Sequence, residues 1–173
     1  MPIDIERATE SLRQYAPIPW AQIPDLGLYM DQVVTLIGRI YAPLFGDDVR
    51  RCLTPSMINN YVKAKLIPRP AGKKYGREQL ALLIMIVTLK QSASMEAIGR
   101  MLALKEGESV EQLYDAFCRR LSAALRGVPT GDAFRETPAS ALDFAILASA
   151  CSAASAAVLA AEAEAPHSPD APA

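Results

Sequence analysis

Ser56, Asn59, Asn60 and Lys63 lie three, one and three residues apart in a stretch, LTPSMINNYVKAKL, that reads as a helix. At 3.6 residues per turn they share one face. Met57, Ile58, Tyr61 and Val62 fall on the opposite face. The chemistry open to such a polar face is recognition rather than bond making. An Asn amide can bond bidentately to the N6/N7 edge of adenine, and Ser and Lys can reach bases or phosphate oxygens. Asn is a poor helix former, so propensity does not explain two in succession. The plain alternative is a solvated polar face, and the helix alone does not decide between them.

The surrounding charge favours the first reading. Val49 to Arg77 contains eight basic residues (Arg50, Arg51, Lys63, Lys65, Arg69, Lys73, Lys74 and Arg77) and no acid. The whole chain of 173 residues has 18 Lys and Arg against 19 Asp and Glu. The rest of the chain therefore keeps 10 basic residues against all 19 acids, a net of −9. Such a concentration of charge marks a surface that meets a polyanion. Arg69, Lys73, Lys74 and Arg77 follow the helix directly. Ile67 to Tyr75, with a turn at Ala71-Gly72, reads as a small two-stranded hairpin, a wing whose prolines confine it to an edge. Recognition helix in the major groove and basic wing on the flanking phosphates make a coherent docking geometry for double-stranded DNA.

Other elements must position this pair. Ile5, Ala8, Leu12 and Tyr15 predict a short amphipathic helix over Asp4 to Tyr15. The segment APIPWAQIP is then extended, with Trp20 and Ile23 as packing anchors. Asp25 is positioned to cap a helix over Leu26 to Tyr41, striped by Met30, Val33, Val34, Ile37 and Tyr41, with Pro43 beyond its end. Thr54-Pro55 starts the basic helix, which should reach Ala64 or Lys65. Arg77 to Lys90 is apolar almost all round at its centre and predicts a buried core helix. Ser94 caps a helix over Met95 to Leu102. Ser109 and Gln112 form a capping box for a helix that runs to Arg126 and stops at Gly127. Its row of Leu113, Phe117, Leu121 and Leu125 reads as core or as a dimer seam. Thr137-Pro138 opens an Ala-rich helix toward Glu164, and the tail after Pro166 has a disordered composition.

Composition argues against other classes. Cys52, Cys118 and Cys151 are far apart and odd in number, which fits free thiols in a reducing cytoplasm and gives no metal spacing. No signal peptide is visible, and the uncharged run Phe144 to Ala161 is too rich in Ala and Ser for a membrane span. No Gly-rich phosphate loop occurs, and the one histidine, His167, lies in the tail. Glu106, Glu108 and Glu111 sit at a helix start, where the dipole accounts for them. The expectation is therefore a protein that is not an enzyme and uses no cofactor or metal.

LTPSMINNYVKAKLIPRP, then KKY, a buried helix and SMEAIGRML resemble the DNA-binding half of MerR-type regulators. Ile58, Tyr61, Leu66, Ile67, Tyr75, Ser94 and Ile98 fall on matching positions. Asn59 replaces an Arg that those proteins aim at phosphate, whereas Lys73 stands where their wing Arg stands. The closer similarity is to domain of unknown function 1836, a bacterial group. It rests on Leu28-Tyr29-Met30-Asp31-Gln32-Val33, Thr54 through Lys65, Lys74-Tyr75 and Leu89-Lys90-Gln91, and covers about Pro19 to Leu104. The resemblance implies a MerR-like winged helix-turn-helix and no particular cellular role; no MerR-type effector domain is recognisable downstream.

The fold expected is mainly α: a MerR-like winged helix-turn-helix with a small β-hairpin wing, plus C-terminal helices. Its parts are an N-terminal helix and Pro-rich arm (1–24), the DNA-binding domain (25–104), a helical region suited to dimerisation (105–165) and the tail (166–173). The function expected is sequence-specific binding of double-stranded DNA in transcription regulation, as a homodimer, with no membrane contact and no small-molecule effector identified. The site residues are Ser56, Asn59, Asn60, Lys63, Arg69, Lys73, Lys74 and Arg77. The alternative is a winged-helix module that docks an acidic protein partner.

Overall fold

The computed structural model describes residues 12–45 and 53–128, together with Leu147, Ala148 and Cys151, which are helical. Most of the helix expected over Asp4 to Tyr15 lies outside the described residues, as do Arg50, Arg51 and most of the Ala-rich segment. Within them the order is a 3-10 turn at Trp20–Gln22, α1 (Met30–Phe45), α2 (Pro55–Lys63), α3 (Arg77–Leu89), α4 (Met95–Met101) and α5 (Val110–Arg126).

Local chemistry sets most of the helix starts. The Thr54 hydroxyl accepts from the Met57 amide at 3.3 Å, and Pro55 fills the first position of α2. Ser94 accepts from Ala97 at the head of α4. Ser109 and Gln112 close a reciprocal capping box on α5, at 3.2 and 3.0 Å.

Packing centres on α3, whose residues Leu80 to Val87 are all buried. Val33, Ile37 and Tyr41 of α1 are fully buried, and the Tyr41 hydroxyl bonds to the Ile84 carbonyl and the Thr88 hydroxyl of α3. Ile58 and Tyr61 of α2 and Ile98 of α4 join the same core. A Cβ on Gly99 would come 3.1 Å from the Leu66 Cδ2 atom, so α4 approaches the exit of α2 closely. Val110 and Tyr114 of α5 are also buried in this core, which therefore runs across the boundary drawn at residue 104. The arm is pinned at its centre: the Tyr114 hydroxyl donates to the Ile18 carbonyl at 2.7 Å, and the Trp20 and Tyr114 rings lie 6.0 Å apart.

The mainly helical expectation holds, but the winged architecture does not. Among the described residues there is no strand and no sheet, only two isolated antiparallel bridges, Ala71 with Lys74 and Leu28 with Tyr75. The first is a tight turn. Its central residues Gly72 and Lys73 both have positive φ, 55° and 64°, and the Lys74 amide donates to the Ala71 carbonyl at 3.0 Å. The turn leads to no ladder because Pro68 and Pro70 have no amide to donate. Tyr75 instead exchanges both backbone bonds with Leu28, at 3.0 and 2.8 Å. A MerR-like winged helix-turn-helix is accordingly not the fold that the chain builds.

The start of α1 differs for the same reason. Gly27 and Leu28 are engaged with the 74–75 segment, so the helix begins at Met30 rather than at Leu26. Gln32 accepts from the Tyr29 amide at 2.9 Å, while Asp25 pairs with Arg77 at 3.6 Å. The helix also runs past Pro43 to Phe45, with the proline inside its last turn. Among the described residues no helix is long and apolar enough to cross a membrane.

Candidate nucleic-acid interface

The two faces of α2 separate as the spacing predicts. Ser56, Asn59, Asn60 and Lys63 are exposed, Ile58 and Tyr61 are buried, and Met57 and Val62 are half-buried against the core. Burial pushes the Tyr61 hydroxyl above the ordinary phenol range. The outer face thus has a fixed orientation, because rotating α2 would expose Ile58 and Tyr61.

After α2 the basic residues fall into two groups. Lys63, Lys65 and Arg69 border a shallow depression of about 280 Å³ beside Val62, Ile67 and Pro68. Lys73 and Lys74 occupy the tight turn and are exposed. The Lys74 ammonium lies 5.2 Å from the centre of the Tyr29 ring, a cation–π contact that stiffens the end of the turn. A Cβ on Gly27 would lie 2.8 Å from the Lys74 Cβ, so only glycine allows the backbone there to pass so close. Gln79 braces the base of the turn: its Oε1 accepts from the Gly76 amide at 2.7 Å and its Nε2 donates to the Pro68 carbonyl at 3.0 Å.

Arg77 is placed differently from the other seven expected site residues. Its Nε donates to the Ile23 carbonyl at 3.0 Å, its terminal nitrogen pairs with Asp25, and its guanidinium lies 5.8 Å from the Trp20 ring centre. These contacts tie the arm to the head of α3 and draw Arg77 away from the basic surface. Among the described residues Lys63, Lys65, Arg69 and Lys73 have no ion-pair partner.

Two residues join this surface that the spacing did not single out. Tyr29 is 50% exposed beside Lys74, and Lys65 borders the depression. Tyr29 falls outside the apolar stripe of α1, which was the available signal. Lys65 was visible only as part of the basic count.

No curated protein and no solved structure shows significant similarity to the chain. Residues 18–117 match the family described as Domain of unknown function (DUF1836). The match spans the arm, α1 to α4 and the first half of α5, which is the span that builds the common core. The chain therefore belongs to the DUF1836 family.

Proposed function

We propose that the protein binds double-stranded DNA, with the outer face of α2 reading the major groove and the lysines and arginine after it contacting phosphates. The observation that carries this reading is the join of two features. One is a helix whose Ser/Asn/Asn/Lys face is held outward by burial of Ile58 and Tyr61. The other is the adjoining run of Lys65, Arg69, Lys73 and Lys74 without an acid among them. Regulation of transcription is the role such recognition would serve, with a homodimer reading two half-sites.

Binding to random duplex DNA as a function of salt tests the reading. Phosphate contacts from the residues Lys63, Lys65, Arg69, Lys73 and Lys74, about three to five in all, should give a log–log slope of about −3 to −5. No binding at low salt would remove the proposal. Lys73→Ala with Lys74→Ala should weaken binding on every sequence and flatten the slope. Asn60→Ala should instead change sequence preference; equal loss on all sequences would contradict base reading by this residue. Sedimentation of a chain ending at Gly127 tests the dimer: if it remains dimeric, the Ala-rich segment is not the seam.

A second reading is an acidic protein partner. It is favoured by Leu26, 82% exposed, and Tyr29 beside Lys74, an arrangement of apolar and cationic groups that protein interfaces use. Loss of duplex binding on Lys73→Ala with Lys74→Ala, but none on Leu26→Ser, would separate DNA from this partner.

A further inference from the structure

The end of α2 holds a strained lysine. Lys65 has a φ of 59° and occupies the position just after the helix cap. There the Leu66 amide reaches the Tyr61 carbonyl at 3.0 Å, and the Lys65 amide reaches the Val62 carbonyl at 3.1 Å. This closure needs a left-handed residue, and glycine adopts that conformation most cheaply because it has no Cβ to crowd the carbonyl. Lys73 repeats the situation in the tight turn, with a φ of 64°. Among the described residues these two lysines are the non-glycine residues with positive φ, and both stand on the basic surface.

Lys65 does not stand alone. It borders the depression together with Lys63 and Arg69. No acid borders it, and among the described residues none of the three cations has an ion-pair partner. Three like charges around one hollow repel one another unless an anion lies among them. Backbone strain, clustered charge and a hollow therefore coincide at one place.

We propose that this depression is a phosphate-binding subsite, in which Lys65 keeps a left-handed backbone so that its ammonium joins Lys63 and Arg69 around one phosphate group. The inference rests on the duplex reading in taking the DNA backbone as the source of that phosphate. Arg69 offers a planar fork for two oxygens, and the two lysines supply point charge. Val62, Ile67 and Pro68 form the apolar wall, which lowers competition from water.

A rival account makes Lys65 a structural cation at a helix carboxyl end, where it would favour the dipole. The two accounts differ in what Lys65→Gly does to binding. Glycine relieves the left-handed strain in both, so the unfolding midpoint should stay unchanged or rise by a few degrees. Only in the subsite account should binding of phosphate weaken.

The test uses the full chain, with Lys65→Gly and Arg69→Gln beside the wild type. Thermal unfolding is measured, along with binding to random duplex DNA and to inorganic tripolyphosphate. The expected result is an unfolding midpoint of Lys65→Gly no lower than wild type and a duplex affinity reduced several-fold, with the salt slope changed by less than about 0.9 because Lys63 and Arg69 still neutralise the shared phosphate. Tripolyphosphate should raise the midpoint of the wild type, as a ligand of the folded state must, and raise that of either variant less. Wild-type affinity in Lys65→Gly would overturn the subsite, assign Lys65 to the helix end and leave the duplex reading standing. If the wild type ignores duplex DNA but tripolyphosphate protects it and not Lys65→Gly, the subsite stands and the duplex reading falls. Failure of both probes overturns both.

Discussion

Arg77 shows how a residue can add charge to a basic segment without serving its surface. Its guanidinium is divided among the Ile23 carbonyl, the Asp25 carboxylate and the Trp20 ring. Arg77→Ala should therefore loosen the arm, lowering stability by about 1–2 kcal/mol in urea titration, given a partly buried bond to a charged group and an ion pair exposed on the Asp25 side. The duplex salt slope should stay at the wild-type value. A slope reduced by a full contact would return Arg77 to the interface. Gly27 carries the opposite constraint, an absence of side chain. Gly27→Ala sets a Cβ 2.8 Å from the Lys74 Cβ. The segment must shift, which should cost about 1–3 kcal/mol and part the bridge between Leu28 and Tyr75. Hydrogen exchange reads this directly: the Tyr75 amide, bonded to Leu28 at 2.8 Å, should lose protection while the amides of α3 keep theirs.

The nine residues of α2 are too few to form a helix alone, so its face depends on the cap and on the buried Ile58 and Tyr61. Thr54→Ala should cost about 1 kcal/mol, and Ser109→Ala about the same at α5. If α2 carries the interface, only the first should weaken duplex binding beyond its effect on global stability, because it frays the recognition face itself. Equal effects on binding would argue that α2 has no special place. These caps were legible in the sequence because each is a contact between a side chain and a backbone amide three residues on. The two faces of α2 and the buried centre of α3 were legible for a related reason, since period and apolar content are local properties. The start of α1 was not. Residues Asp25 to Tyr29 look like a helix entrance, yet Leu28 pairs with Tyr75, and Asp25 with Arg77 across the fold. No local pattern encodes such pairs. The wing is absent for a reason that is itself local: Pro68 and Pro70 mark more than an edge, because they leave the turn with no ladder to close. Lys65 and Lys73 were hidden because left-handed backbone is signalled by glycine, and here lysine stands in its place.

At the scale of the molecule, one core joins the arm, α1 to α4 and α5, and its edge holds tyrosines that respond to pH. The Tyr15 hydroxyl donates to the Ile40 carbonyl at 3.3 Å, and burial, with a smaller contribution from Cys118, pushes it from 10.0 up to about 12. Tyr114 is pushed up further, first by burial and then by Cys118, while its hydroxyl holds the Ile18 carbonyl. Burial also raises the Cys118 thiol. In each case the folded state binds the proton more tightly than the unfolded chain does. For the two tyrosines the stability this gives is fully present below the unfolded phenol value near 10 and is lost as pH rises through the folded values. Around neutral pH the urea midpoints should therefore not change with pH on account of Tyr15 and Tyr114, whose contribution is there complete. They should fall steadily once the pH passes about 10, with the Tyr15 share spent near 12. Tyr15→Phe should lower stability modestly at pH 7, by loss of one hydroxyl bond, and should make the alkaline decline shallower. A decline of equal steepness in Tyr15→Phe and wild type would show that Tyr15 is solvated in the folded state, and that the arm is not closed over it.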